Sequence, residues 1–317
     1  SWEKISPDLT YADPETLQET GGPIRTDQDG PEVYGTVFSI APSRFDADTI
    51  WVGSDDGLVH VTRDGGATWS NVTPPDMPKH TRVSAIDASP HERATAYVAG
   101  KRYEMADRRP YLWKTNDYGA TWTRIQNGIA DDHFTHVVRE DPVHRGLLFC
   151  GTEHGVYISF DDGVAWQSLQ LNLPDVHIPD LEIREDDVVI ATHGRSFWVL
   201  DNISLLRQLT PAIAASDVHV FDPANEVLNV NPVHIDYYLA QPARQVTVEI
   251  VDSSGRRARR LVDDQPATGM NRITWDGFYE SPTIWDGIVL EGGVPQGPFA
   301  PPGEYEARVN IDGRLFA

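Results

Sequence analysis

Short apolar runs, each bounded by Gly, Pro, Asp or Ser, recur along the first two thirds of the chain, and no long stretch repeats apolar residues at helical spacing. Two kinds of run alternate. One opens each unit, at Gly35-Thr-Val-Phe-Ser-Ile40, Arg82-Val-Ser-Ala-Ile86, Phe134-Thr-His-Val-Val138 and Pro179-Asp-Leu-Glu-Ile183. The other comes second, at Ile50-Trp-Val-Gly53, Ala96-Tyr-Val-Ala99, Leu147-Leu-Phe-Cys-Gly151 and Val188-Val-Ile-Ala191. The pattern predicts an all-β chain.

A polar signature comes after the second run in three units: Thr62-Arg-Asp64-Gly-Gly66-Ala-Thr68-Trp69, Thr115-Asn-Asp117-Tyr-Gly119-Ala-Thr121-Trp122 and Ser159-Phe-Asp161-Asp-Gly163-Val-Ala165-Trp166. All three read Ser/Thr-x-Asp-x-Gly-x-Thr-Trp, except that Ala165 replaces the Thr. Such a box reads as a hairpin turn: Asp accepts backbone N–H bonds, Gly takes a positive φ, and Trp folds back over its own hairpin. A fourth unit is degenerate but matches the third at an offset of 40 residues, pairing Thr152 with Thr192, Tyr157 with Phe197 and Asp161 with Asp201.

About four strands per unit at this period is the signature of a β-propeller, whose small sheets pack face to face around a channel. Trp2-Glu-Lys-Ile5-Ser-Pro7 resembles the stretch that ends each box and leads out of it, as in Trp69-Ser-Asn-Val72-Thr-Pro74. The chain is therefore expected to open inside a blade. About four blades make an incomplete ring, so further blades of the same protein or a second chain are expected to cover the open edges. From about Ser216 the boxes stop and spaced strands suggest a small β-sandwich, with Asp252-Ser-Ser-Gly255 as one of its turns. The expected domains are 1–34, the end of a preceding blade and a long loop; 35–210, the blades; and 216–317, the sandwich.

Charge narrows the partners. The 317 residues hold 48 Asp and Glu against 26 Lys and Arg, a net charge of -22, whose field repels nucleic acid. The one cysteine, Cys150, excludes an intrachain disulfide and lies in an apolar run, as a core residue would. No run is long and apolar enough to span a membrane, and no phosphate-binding loop, zinc-finger spacing or nucleophile elbow appears, so no cofactor is expected.

The three boxes, with Trp51-Val-Gly-Ser-Asp-Asp-Gly57 and Ala191-Thr-His-Gly-Arg-Ser-Phe-Trp198, resemble the bacterial BNR or Asp-box propeller proteins, sortilin-like and often labelled glycosyl hydrolase-like. Gly269-Met-Asn-Arg-Ile-Thr-Trp275 and Pro302-Gly303-Glu-Tyr305 resemble the Ig-like domain of the flagellar hook-capping protein FlgD. The resemblance implies a secreted, periplasmic or surface protein that binds a glycan or peptide at the propeller face. It does not imply one chemistry.

Glycoside hydrolysis needs two carboxylates about 5 to 10 Å apart. The acids on loops at one face are Asp55, Asp56, Glu153 and Asp180. A sialidase would show an Arg-Ile-Pro segment, which is missing. For an anionic or aromatic ligand the candidates are Arg102, Tyr103, Arg108, His154, His193 and Arg195, with Trp285 as a further stacking surface; the competing role for the arginines is pairing with local acids. His80, His133 and His177 each precede an opening strand and are the candidate metal ligands. Because no recognisable catalytic set appears among them, a non-catalytic binding module is expected, with a glycoside hydrolase fragment as the alternative.

Overall fold

A computed structural model describes residues 2–18, 34–223, 232–283 and 295–316. Trp285 and most of the expected 8–34 loop lie outside them. The contacts divide the chain into two compact units, Ser1–Ile203 and Ser204–Ala317.

In the first unit the apolar runs become four antiparallel sheets with strands in chain order. They are β1 (Val37–Pro42), β2 (Thr49–Ser54), β3 (Val59–Arg63) and β4 (Ser70–Asn71); β5 (Arg82–Ala88), β6 (Ala96–Arg102), β7 (Asp107–Thr115) and β8 (Thr123–Arg124); β9 (Thr135–Glu140), β10 (Leu148–Thr152), β11 (Gly155–Ser159) and β12 (Gln167–Ser168); and the three-stranded β13 (Asp180–Arg184), β14 (Asp187–Ala191) and β15 (Phe197–Leu200). Opening strands pack in series, β1 on β5, β5 on β9 and β9 on β13. These sheets are propeller blades. A strand between two blades is covered on both faces, which is why every residue of β10 is buried and its sequence has no polar side chain before Thr152. Cys150 sits there, fully buried, and burial drives its thiol far above the ordinary range, which makes it an inert core residue.

Each box closes as its residues require. Asp64 accepts the Thr62 hydroxyl at 2.8 Å, the Thr68 N–H at 2.8 Å and the Thr68 hydroxyl at 2.6 Å, and Asp117 does the same with Thr115 and Thr121. These bonds hold both carboxylates below the usual range. With Ala165 in the third box, Asp161 keeps the backbone bond at 2.9 Å and has no hydroxyl there to accept.

The tryptophans correct the reading of a purely local device. Each reaches back to the stretch that leads out of the preceding box or, for Trp69, to its counterpart at the start of the chain: Trp69 Nε1 donates to the Ile5 carbonyl at 2.8 Å, Trp122 Nε1 to the Val72 carbonyl at 2.6 Å, and Trp166 Nε1 to the Ile125 carbonyl. The accepting residue lies three places after the preceding Trp every time, and Trp2-Glu-Lys-Ile5 takes the same place. The box therefore clips one blade to the last.

Asp87, packed between β5 and β9, accepts the Glu140 N–H at 2.8 Å. Burial above all raises its carboxyl to about 6, against the pull of Arg139. A raised carboxyl keeps its proton in the folded state after the unfolded chain has lost it, so this group costs stability as pH rises from about 4 to 6. Asp87→Asn is expected to flatten that part of the melting-temperature profile between pH 4 and 7, recorded by calorimetry. An unchanged profile would contradict the assignment.

The second unit begins with two short helices, α1 (Ser204–Gln208) and α2 (Pro211–Ala214), the latter capped by the Thr210 hydroxyl accepting the Ile213 N–H. Seven strands come after them: β16 (Val218–Val220), β17 (Val233–Leu239), β18 (Val246–Asp252), β19 (Arg257–Asp263), β20 (Gly269–Trp275), β21 (Tyr305–Ile311) and β22 (Arg314–Phe316). They form two sheets, β16-β17-β20 and β19-β18-β21-β22. Alternate residues such as Ile235, Tyr237, Val248, Ile250, Trp275 and Val309 fill the core between them, as in an Ig-like sandwich.

Candidate functional site

Because strands alternate in direction, the boxes lie at one end of the blades, and the β2–β3, β6–β7, β10–β11 and β14–β15 turns lie at the other. The connections entering β5, β9 and β13 reach that same end. Every candidate ligand, acid or metal residue named from the sequence and described in the structure falls there, on a turn, on an entering connection or, for Arg102, Arg108 and Asp180, at the adjoining end of β6, β7 or β13.

The acids differ in what holds them. Asp55 is buried and accepts the N–H groups of Gly35 at 3.0 Å and Thr36 at 2.8 Å. Asp56 is buried and accepts the Tyr11 N–H at 2.7 Å and the Ser54 hydroxyl at 2.5 Å. Asp180 is exposed and paired with Arg139 at 3.0 Å. Glu153 alone faces a cluster of chemistry-bearing side chains.

That cluster is built by a repeated irregularity. In each of the first three blades the opening strand skips one residue in its pairing: Phe38 between Val37 and Ser39, Ser84 between Val83 and Ala85, and His136 between Thr135 and Val137. Such a bulge re-aims one side chain. In the third blade it presents His136, only 2% exposed. The Glu153 N–H donates to the Phe134 carbonyl at 3.1 Å, which holds Glu153 beside it. From the next blade, the Ile178 N–H donates to the Thr152 carbonyl and the His193 N–H to the His177 carbonyl, both at 2.9 Å. Gly151 permits this approach, since a Cβ there would meet Ile178 atoms at 2.8 Å.

The side chains then converge. His136 Nε2 lies 3.3 Å and His177 Nδ1 3.7 Å from Glu153 Oε2, and the two rings stack with centroids 3.9 Å apart. Lys101, at the end of β6, places Nζ 3.3 Å from His136 Nδ1, and His193 meets His177 edge to face. Burial first, then Lys101 and His177, holds His136 down at about 2, so its ring is neutral. Burial also lowers His177, against the pull of Glu153, and lowers Lys101, which Arg82 lowers further. Among the described residues, His136, Glu153 and His177 are the group whose ligand atoms could share a metal ion.

The three histidines expected as ligands stand in different settings. His80 pairs with the Tyr34 hydroxyl at 2.8 Å beside a pocket of about 360 Å³ that Arg82 and Glu104 also line. His133 pairs with the Tyr157 hydroxyl at 2.9 Å and meets the His154 ring at a tilt, and His154 pairs with Asp175 at 3.0 Å. His177 alone joins a set, with His136. Nothing set His136 apart in the sequence, because it sits inside an apolar strand run.

Of the other candidates, Tyr103 stacks on Phe134 at 5.2 Å and remains 43% exposed. Arg102 is mostly buried, 3.9 Å from Asp107, whereas Arg108 and Arg195 are exposed. Arg109 grips Asp107 through two nitrogens at 2.8 and 2.9 Å, so Arg102 and Arg109 share that local acid.

The chain is thus a set of β-propeller blades followed by an Ig-like domain. Residues 224–283 match the model of the FlgD Ig-like domain family. Vacuolar protein sorting/targeting protein 10 of Uncinocarpus reesii is similar, 31% identical over 99 residues; the match takes in 30% of this chain and 6% of that protein. The chain thus corresponds to a small part of that relative's length. Among solved structures, YCF48 bound to D1 peptide is similar with a TM-score of 0.41 and 14% identity, over 71% of this chain and 68% of that one. The GH74 xyloglucanase of Xanthomonas campestris is similar with a TM-score of 0.43 and 11% identity, over 75% of this chain and 38% of that one. No helix among the described residues is long and apolar enough to cross a membrane.

Proposed function

We propose that the chain is a non-catalytic, extracellular binding module of a larger sortilin-like propeller protein of the Asp-box kind, taking a glycan or peptide at the face opposite the boxes. The observation that carries this reading is how the acids at that face are held. Asp55 and Asp56 are buried turn anchors and Asp180 is tied to Arg139, while Arg108 and Arg195 are exposed and Tyr103, though stacked on Phe134, keeps 43% of its surface open to a ligand. Phe38 and Ile40 at one end of the blade series and Phe197 and Val199 at the other are exposed, 49%, 66%, 76% and 51%, and further blades or a second chain would cover them.

A glycan and peptide array probed with the purified chain tests the reading, with each hit incubated and weighed by mass spectrometry. Binding without cleavage is expected, weakened about tenfold by Tyr103→Ala through loss of a stacking surface. Cleavage lost on Glu153→Gln would replace this reading with that of a hydrolase fragment, Glu153 being the one candidate acid set among proton-carrying side chains.

A further inference from the structure

Two imidazoles and one carboxylate from two neighbouring blades bring their ligand atoms within 4.8 Å of one another. We propose that His136, Glu153 and His177 bind one divalent transition ion of the zinc class.

The donor types select the ion. Calcium and magnesium take sets made of oxygen, whereas mixed imidazole and carboxylate sets suit zinc and its neighbours. Spacing agrees with this. Ligands held at about 2.1 Å around a tetrahedral ion are about 3.4 Å apart, and Glu153 Oε2 stands 3.3 Å from His136 Nε2 and 3.7 Å from His177 Nδ1. The stacked rings must tilt apart so that His136 Nε2 and His177 Nδ1 face one ion beside Glu153.

The surroundings favour occupancy as well. His136 is set by the bulge with Nε2 facing Glu153, and Lys101 at Nδ1 must withdraw as the ion binds, because a ring that ligates through Nε2 carries its proton on Nδ1. On His177 the other nitrogen, Nε2, is buried without a hydrogen-bond partner, so no competing bond holds that ring in place. The His177 and Glu153 side chains are 26% and 32% exposed, which gives an ion an entry path and a fourth position open to water or ligand. Lys101 is the opposing charge, and it lies beyond the His136 ring from Glu153.

Titration calorimetry of the whole chain with zinc chloride tests the site. One equivalent is expected to bind, and His177→Ala and Glu153→Gln should each weaken it by about 100-fold or more. Lys101→Met should tighten it and His133→Ala should leave it unchanged. Near-ultraviolet circular dichroism of each variant confirms that its blades are folded. Absence of zinc binding by the wild-type chain, binding that survives both ligand variants, or binding lost with His133→Ala would each overturn the assignment. The site does not depend on the glycan or peptide reading: an array hit without zinc binding overturns the metal site alone, and zinc binding with a silent array overturns only the other.

Discussion

Trp166→Ala is expected to destabilise the blade unit by about 3–5 kcal/mol, the cost of truncating a large buried aromatic. Trp166 is 5% exposed and its indole N–H reaches the Ile125 carbonyl of the preceding blade, so the change opens a cavity and leaves that carbonyl without its partner. Trp122 makes the equivalent bond to Val72 but is only partly buried, and Trp69 bonds to Ile5 in an exposed setting. Urea unfolding followed by fluorescence should therefore rank the losses Trp166→Ala, then Trp122→Ala, then Trp69→Ala. Equal small losses would mean that the tryptophans only cover their own hairpins.

A box glycine and a glycine of the β14–β15 turn allow a matched comparison. Gly119 has φ +82° and a Cβ there would sit 2.6 Å from the Val72 Cβ of the preceding blade, whereas Gly194 has φ +83° with nothing within 4 Å. Both positions strain an L residue alike, so Gly194→Ala is expected to cost about 1 kcal/mol. Gly119→Ala adds overpacking between blades and is expected to cost about 2–4 kcal/mol. Thermal unfolding of the two variants isolates the contribution of the blade contact. If Gly194→Ala proves as costly as Gly119→Ala, the contact contributes nothing and φ alone explains the glycines.

Much of the architecture was legible because it is written locally and repeated. The box residues bond within five positions of one another, and the apolar runs report strands buried between blades, so the order of blades emerged from spacing alone. What the tryptophans bond to was not legible, since Ile125 lies 41 residues before Trp166 and Ile5 64 before Trp69. The likeness of Trp2-Glu-Lys-Ile5 to the stretch leading out of each box was the available clue, and it indicated position without indicating contact.

The candidate site shows the same limit. Turn residues could be assigned to one end of the blades because strand direction alternates, and the structure puts them at that end. Which of them touch depends on bulges and on how blades approach, and neither leaves a mark in one sequence. His136 reads as part of a strand, yet a skipped pairing turns it toward Glu153. β19 was likewise hidden: Arg257, Arg259 and Arg260 mask a strand whose one fully covered side chain is Ala258. Its arginines bond to Glu249, the Tyr279 carbonyl and, through the Arg260 N–H, Glu280, so a strand rich in cations is held by partners distant in sequence.

Hydrogen exchange with a bound array hit tests the central claim, that the working face lies opposite the boxes. Protection is predicted in the turns around 101–109, 153–154 and 193–195 and in the connections before β9 and β13, with the boxes at 64–69, 117–122 and 161–166 unchanged. Protection confined to the boxes or to the Ig-like unit would contradict the account.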